Sequence, residues 1–189
     1  MNQYKEEEKP KPPEMPKVLR RNAEVPKSPE VKKALEKALK YLALRPRSRK
    51  ELEKKLKNKK IDNNIVNSTL EQVDNWGYLN DEEFAKSFLE LKKFLGKGKN
   101  FIFRELKRKG VDEQIIKKAL SQFYTNEEEH EIALSLAKKK FPGLFKFPPE
   151  ADPPSAEKSR KEIIKLKNFL CQRGFSWEVI NDLIATSSF

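Results

Sequence analysis

The sequence of 189 residues is strongly basic, with 41 Lys and Arg against 29 Asp and Glu and a formal net charge of +12. It contains only six Gly and is rich in Leu, Lys and Glu, which favours helices and argues against a β-sandwich or barrel. One Cys excludes an intrachain disulfide, and a single His argues against a zinc site.

Neither a membrane span nor a secretion signal is visible. No uncharged apolar run approaches the roughly 18 residues of a transmembrane helix, and the first residues, MNQYKEEEKP, lack the apolar core of a signal peptide. We therefore expect a cytoplasmic monomer without cofactor, metal or membrane partner. Its positive field is suited to a polyanion such as nucleic acid, or to an acidic protein.

In chain order, the first segment is an arm. Residues 1–30 hold six of the twelve prolines and few large apolar side chains, which predicts a flexible segment. A short binding motif around residues 18–21 is the alternative to a passive tail. The rest of the chain divides into residues 31–79, 80–126 and 127–189, with net charges of +7, +4 and zero. The positive field therefore belongs to the middle of the chain.

An internal repeat organises these three segments. Apolar residues match between residues 52–70, 102–120 and 166–184, at constant offsets of 50 and 64. Each copy predicts a helix, a tight turn and a second helix, and a further helix precedes each pair. A proline-rich loop over residues 142–157 interrupts the third segment, ahead of the third copy, and accounts for the larger offset of that copy. The predicted fold is all-α, with three tandem three-helix repeats forming an elongated, curved body.

Local signals define the ends of the predicted helices. Gly110 and Gly174 stand where a helix ends in a left-handed residue, and Lys60 takes that place less favourably in the first copy. The helix after the turn in each copy is predicted to begin at an N-cap oxygen, and these N-caps are Asp62, Asp112 and Ser176.

Other predicted caps lie at helices that precede the turns. Ser48 with Glu51 forms a predicted capping-box pair. Asn80 or Asp81 caps the leading helix of the second repeat, whose predicted buried stripe is Phe84, Ala85, Phe88, Leu89 and Leu91.

Signals of catalysis are absent from the sequence. The segment from Gly98 to Asn100 superficially matches a phosphate-binding loop, but the required earlier Gly and the final Ser or Thr are missing. The acidic residues 81–83 are explained by a helix start, and His130 by an exposed helix face. Cys171 has no His in a catalytic relation to it. We therefore predict that the chain is not an enzyme.

Basic side chains form the most informative pattern. If Leu52 and Leu56 face inward, the outward positions of their predicted helix are basic. The matching positions of the second repeat are basic too. Further arginines lie in the turn that precedes the helix of Leu52 and Leu56. We call these residues the cationic set: Arg45, Arg47, Arg49, Lys50, Lys54, Lys57, Arg104, Lys107 and Arg108. The set predicts a surface that binds a polyanion or an acidic protein, with a merely solvated helix face as the alternative.

Sequence-specific reading of DNA by a helix-turn-helix is disfavoured. The helix after the turn would be the reader, yet in the second repeat it begins with Asp112 and Glu113, which would lie near phosphate. The basic residues precede the turn instead. Broad electrostatic contact with a polyanion therefore fits the pattern better.

Four motifs resemble those of the RecX regulators of the RecA recombinase. These motifs are residues 47–52 (RSRKEL), 77–85 (GYLNDEEFA), 105–110 (ELKRKG) and 173–175 (RGF). The resemblance covers about residues 31–189. It implies three-helix repeats that bind RecA filaments on single-stranded DNA and limit filament growth, strand exchange, ATP hydrolysis and co-protease activity in the SOS response. The alternative is a DNA-binding helical protein without sequence specificity that acts independently of RecA.

Overall fold

The structure, a computed structural model, describes residues 28–145 and 156–186. Most of the predicted arm and residues 146–155 of the proline-rich loop lie outside the described residues. Within the described ranges the chain forms nine α-helices and one short 3-10 helix, with no strand. The prediction of an all-α chain with three tandem three-helix repeats is confirmed.

The helices fall into three consecutive groups. The first repeat comprises α1 (Pro29–Leu44), α2 (Arg49–Lys57) and α3 (Asn63–Asn75). The second comprises α4 (Asp81–Phe94), α5 (Lys99–Arg108) and α6 (Glu113–Phe123). The third comprises α7 (Asn126–Lys140), the 3-10 helix Pro142–Leu144, α8 (Ala156–Arg173) and α9 (Trp177–Thr186).

Side-chain caps fix the helix starts largely as predicted. The carboxylates of Asp62 and Asp112 each accept the backbone N–H two residues ahead at 2.8 Å. Of the two hydrogen bonds in the predicted capping box of α2, one is formed and the other is not. The hydroxyl of Ser48 accepts the N–H of Glu51 at 3.1 Å. The Glu51 carboxylate does not accept the backbone N–H of Ser48, because it pairs with Arg45 and Lys109.

The three turns between the second and third helix of each repeat share one backbone conformation. Lys60, Gly110 and Gly174 have φ values of 56°, 81° and 78°, which all lie in the left-handed region. An L-residue with a Cβ is strained there, whereas glycine is not. The predicted left-handed turn residues are therefore confirmed, including the less favourable lysine.

By compactness the described residues form two units. The first unit contains residues 28–84 together with the turn 109–111. Its core is built on Leu52 and Leu56 of α2, which are fully buried among apolar side chains of α1 and α3. These partners are Leu35, Ala38, Val66, Leu70 and Val73, together with Trp76 directly after α3. Because the two leucines are four residues apart, they lie on one face of α2. That face is buried in the core, and the opposite face is exposed to solvent.

The second unit contains residues 85–108 and 112–186 of the described chain. Leu166 and Leu170 of α8 are fully buried there, in contact with apolar residues of α7 and α9. One predicted core residue is wrong, because Leu91 is 54% exposed. The buried face of α4 is set by Ala85 and Leu89, four apart, and Leu91 points away because two residues correspond to about 200° of helix rotation.

Within the first unit, the turn of the second repeat packs on the start of α2. We call this contact the first joint, formed by residues 48–51 and 109–110. The Ser48 hydroxyl donates to the carbonyl of Lys109 at 2.6 Å, and the Lys109 ammonium pairs with the Glu51 carboxylate. The side-chain stem of Lys50 lies so close to Gly110 that an added Cβ would overlap it.

The equivalent contact within the second unit is the second joint, formed by residues 98–101 and 173–175. Here main chain meets main chain. The N–H groups of Gly98 and Asn100 donate to the carbonyls of Arg173 and Gly174, both at 3.0 Å. A Cβ added to Gly98 would overlap the backbone of Gly174 and Phe175, so only glycine permits this approach.

A buried carboxylate completes the second joint. Glu129 of α7 has a side chain only 1% exposed. Its Oε1 accepts the N–H of Lys99 at 2.9 Å and the N–H of Ser176 at 3.2 Å. The Lys99 ammonium lies 4.0 Å from the other oxygen. The starts of α5 and α9 are therefore satisfied by one side chain from the third repeat.

Candidate cationic interaction surface

Two helices carry most of the cationic set. On α2, Lys50, Lys54 and Lys57 are exposed on the side opposite the buried leucines. On α5 the same arrangement recurs, since Ile102 and Leu106 are fully buried while Arg104, Lys107 and Arg108 are exposed. The structure thus brings the set together as two groups, one in each unit.

Several members of the set already have carboxylate partners. On the helices, Lys57 pairs with Glu53 at 2.6 Å, Lys107 with Glu113 at 3.1 Å and Arg108 with Glu105 at 2.7 Å. In the turn before α2, Arg45 pairs with Glu51 at 3.0 Å and Arg49 with Asp74 at 2.7 Å. Exposed pairs of this kind contribute little stability, but they must exchange partners before they bind an external anion.

Three members differ from the others. Among the described residues, Lys50, Lys54 and Arg104 have neither an ion pair nor a side-chain hydrogen bond to a carboxylate. Lys54 and Arg104 also occupy the same place in successive repeats, fifty positions apart. These two positions are the most readily available cations of the set.

Arg47 does not belong to the exposed surface. Its side chain turns inward, the residue is only 8% exposed, and its Nε donates to the carbonyl of Tyr41 at 3.0 Å. The guanidinium also lies 5.8 Å from the centre of the Tyr41 ring. Burial, and then the nearby charge of Arg45, lowers the pKa of Arg47. Its predicted outward position is wrong, because the turn after α1 needs this donor to satisfy the Tyr41 carbonyl.

Two of the carboxylates beside the set, those of Glu51 and Glu113, have a lowered pKa. Burial by itself raises the pKa of Glu51, but hydrogen bonds from Arg45 and Lys109 outweigh it and bring the pKa below its ordinary value. Hydrogen bonds from Lys117 and Lys107 lower the pKa of Glu113. These two glutamates therefore neutralise part of the positive charge of the set at neutral pH.

Sequence reasoning missed further basic residues at the turn of the first repeat. Lys59 and Lys60 are exposed beside Lys57, and Lys55 lies 5.1 Å from the Tyr41 ring. The run KKLKNKK over residues 54–60 was the available signal. The role of Lys109 was also missed. Its ammonium pairs with Glu51 at the first joint instead of belonging to the exposed surface.

Other kinds of site find little support in the part of the chain that the structure describes. No group of three or more His, Cys, Asp or Glu residues there is arranged to hold a metal ion. No helix in the described ranges has both the length and the apolar character needed to cross a membrane. The surface can hold phosphate or carboxylate groups through charge-assisted hydrogen bonds from lysine and arginine.

Comparison with known protein families matches each repeat separately. Residues 34–72 match the first three-helix domain of RecX, residues 80–120 the second and residues 127–184 the third. The three matches follow one another in the order of the family and include all nine helices of the described chain, at least in part.

Relatives and solved structures agree with these matches. The regulatory protein RecX of Bacillus subtilis is 36% identical over 80% of this chain and 54% of its own length. That of Caldanaerobacter subterraneus subsp. tengcongensis is 30% identical over 80% of this chain and 68% of its own length. The chain spans about half the length of the Bacillus relatives.

The fold likeness extends along most of the chain. The crystal structure of RecX from Lactobacillus salivarius superposes with a TM-score of 0.67 and 27% identity, over 82% of this chain and 95% of that one. A second crystal structure, of a regulatory protein RecX, gives a TM-score of 0.68 and 28% identity over 82% of this chain and 71% of that one. With three ordered domain matches, relatives at 30% identity or more and this shared fold, the chain belongs to the RecX family of regulatory proteins.

Proposed function

We propose that this chain binds filaments of RecA on single-stranded DNA in the cytoplasm and limits their growth, strand exchange, ATP hydrolysis and co-protease activity. The observation that carries the proposal is its membership of the RecX family through three consecutive domains. The chain acts by binding, and we assign it no catalytic step.

Charge and repetition support this partner physically. A nucleoprotein filament is a polyanion built from identical subunits, and a basic protein is attracted to it at long range. The first two repeats present equivalent cations on α2 and α5. Weak contacts made by linked repeats add up, because the second contact forms at a high effective concentration after the first.

Within the cationic set, Lys54 and Arg104 are the main contact residues in this proposal. Neither loses an ion pair on binding, since no carboxylate among the described residues engages them. Lys57 and Lys107 are the next equivalent pair, but each must first leave its glutamate. Lys50 contributes its ammonium while its stem stays on Gly110.

The function is tested by the ATPase activity of purified RecA on single-stranded DNA with increasing amounts of this protein. We expect the steady-state rate to fall progressively toward a low plateau. If the rate of ATP hydrolysis by RecA stays constant up to a molar excess of the chain, and strand exchange is also unchanged, the proposed inhibitory function is wrong.

The contact residues are tested by charge reversal. K54E/R104E should weaken binding to RecA-coated single strands by about tenfold at moderate salt, because two charge-assisted contacts become repulsive. K57E/K107E should have a smaller effect. The matched control is K138E/K139E, which makes the same charge change on exposed residues of the third repeat.

If the control variant weakens binding as much as K54E/R104E, only net charge matters and the assigned contacts are wrong. Binding of the wild-type chain to coated and bare strands, compared at moderate salt, separates the two functions. Preference for the coated strand supports a filament partner, whereas equal binding or preference for bare DNA favours the DNA-binding protein that acts without RecA.

A further inference from the structure

Two exposed apolar side chains recur at one position of the repeat. Leu44 is 70% exposed and Phe94 is 87% exposed. They lie fifty positions apart, and each is the last residue of the first helix of its repeat, α1 in one and α4 in the other. We call these residues the apolar pair. Isolated exposed hydrophobic residues are ordinary on protein surfaces, but their recurrence at equivalent positions is not.

The large exposed apolar residues of the third repeat, within the described chain, show no such recurrence. Ile164 and Trp177 are 58% and 57% exposed. At the offset of 64 between the second and third repeats, their counterparts are Asn100 and Glu113, which are polar. Exposure of the apolar pair is therefore tied to the repeat, rather than to a general excess of surface hydrophobicity.

The second repeat enlarges its apolar surface around Phe94. Leu91, about one helical turn earlier, and Leu95, the next residue, are each about half exposed. Phe94 and Leu95 line a groove of about 610 Å³ whose lining also includes Ile132 and Leu136 of α7. All of these residues belong to the second unit, so the groove and the protruding ring are presented together.

The apolar pair occurs in the same two repeats as the excess positive charge. Residues 31–79 and 80–126 carry +7 and +4, whereas residues 127–189 carry no net charge. The third repeat has Lys140 at the last position of its first helix, and that lysine lies over the Phe169 ring at 4.0 Å from the centroid. Apolar anchors and a net positive charge are thus features of the same repeats, which indicates a partner that is both apolar and acidic.

The chemistry of the apolar pair favours protein over nucleic acid as its partner. Bases bind proteins by stacking on aromatic rings or guanidinium planes, and Leu44 offers neither. A leucine and a phenylalanine both fit an apolar pocket, the environment in which single side chains dominate binding energy at protein interfaces. Two equivalent anchors require two equivalent pockets, which a polymer of identical subunits provides.

We propose that Leu44 and Phe94 insert into equivalent apolar pockets bordered by acidic side chains on the protein subunits of the filament. This inference rests on the proposed function and deepens it, because it assigns these contacts to the coat of the filament rather than to its DNA. In this proposal, the unpaired cations of the same repeats pair with the acidic side chains that border these pockets.

The test measures the binding of L44Q, F94Q and L44Q/F94Q to immobilised single-stranded DNA, either bare or coated with RecA and a slowly hydrolysed ATP analogue. Glutamine keeps a good helix propensity at both helix ends. Each single variant should bind the coated strand about tenfold more weakly, and the double variant should be weaker than either. Affinity for the bare strand should not change. I164Q is the matched control and should bind both strands as the wild type does.

The outcomes separate this inference from the function on which it rests. If the wild-type chain does not bind the coated strand, the proposed function fails and this inference falls with it. If the wild type binds and L44Q/F94Q binds equally well, the inference alone is wrong. Parallel weakening on coated and bare strands would assign the apolar pair to DNA and also overturn it. Circular dichroism and urea unfolding verify that the variants remain folded.

Discussion

The first and second joints occupy the same position in the repeat but are closed by different chemistry. At the first joint the closure is made by side chains, through the Ser48 hydroxyl and the pair between Lys109 and Glu51. At the second joint it is made by the backbone, through two N–H donors that meet two carbonyls where Gly98 leaves room. An equivalent place in the repeat therefore does not imply equivalent sensitivity, because the direct bonds across the first joint come from side chains, one of them in an ion pair, and those across the second join two backbones.

The largest expected effect is at the second joint. G98A places a Cβ against the backbone of Gly174 and Phe175, which cannot move aside as a flexible side chain can. We expect a loss of about 3 kcal/mol in the free energy of unfolding, at the upper end of overpacking effects. Urea unfolding measures it. G143A is the control, since its nearest atom would be the Glu162 carboxylate at 3.6 Å. Equal stability of G98A and wild type would mean that the two backbones are not in close contact.

An intermediate effect that depends on pH is expected at the first joint. The pKa of Glu51 is lowered in the folded state, so its contribution to stability is present above the ordinary glutamate pKa and is lost as the pH falls through the lower folded value. E51Q should be less stable than wild type by about 1 to 2 kcal/mol at pH 7. The difference should shrink below about pH 4.

Urea unfolding of E51Q and wild type at pH 7 and pH 3 checks this expectation. E113Q is the comparison variant, because the pKa of Glu113 is also lowered by lysines but its carboxylate is in solvent. We expect E113Q to match wild type at both pH values. A gap between E51Q and wild type that stays constant with pH would show that the charge of Glu51 is not what stabilises the joint.

The smallest expected effect is at the turn of the first repeat, which is exposed in the described chain and forms no comparable joint there. Lys60 holds a left-handed conformation that glycine adopts without strain. K60G should raise the free energy of unfolding by about 0.5 to 1 kcal/mol. K59G, at a neighbouring position with an ordinary φ, should lower it. Thermal unfolding shows whether each variant is more or less stable than wild type. If K59G is also stabilised, this explanation is wrong.

Much of the fold was predictable from the sequence because its signals are local. The spacing of Leu52 and Leu56 sets the buried face of α2, and the oxygens of Asp62 and Asp112 cap the helices that begin beside them. Glycines and Lys60 mark the turns, which take the left-handed conformation they suggest. Exposure of Lys54 and Arg104 follows from the same periodicity.

The features that escaped prediction depend on residues distant in sequence or on backbone carbonyls. Arg47 is buried, and its Nε donates a hydrogen bond to the carbonyl of Tyr41, six residues earlier. One of the two partners of Glu51 is Lys109, 58 residues away, and no local pattern reveals it. Glu129 is one of several neighbouring acidic residues, and only packing against the starts of α5 and α9 distinguishes it from the others.

The shared carboxylate of Glu129 has a consequence for engineering the array. Because one oxygen serves amide groups of Lys99 and Ser176, the second and third repeats are chemically interlocked. A chimaera joined at the boundary between these repeats would separate the Glu129 carboxylate from the N–H of Lys99. Moving the third repeat into another protein therefore requires the start of α5 as well, so the unit that can be exchanged does not coincide with the repeat seen in the sequence.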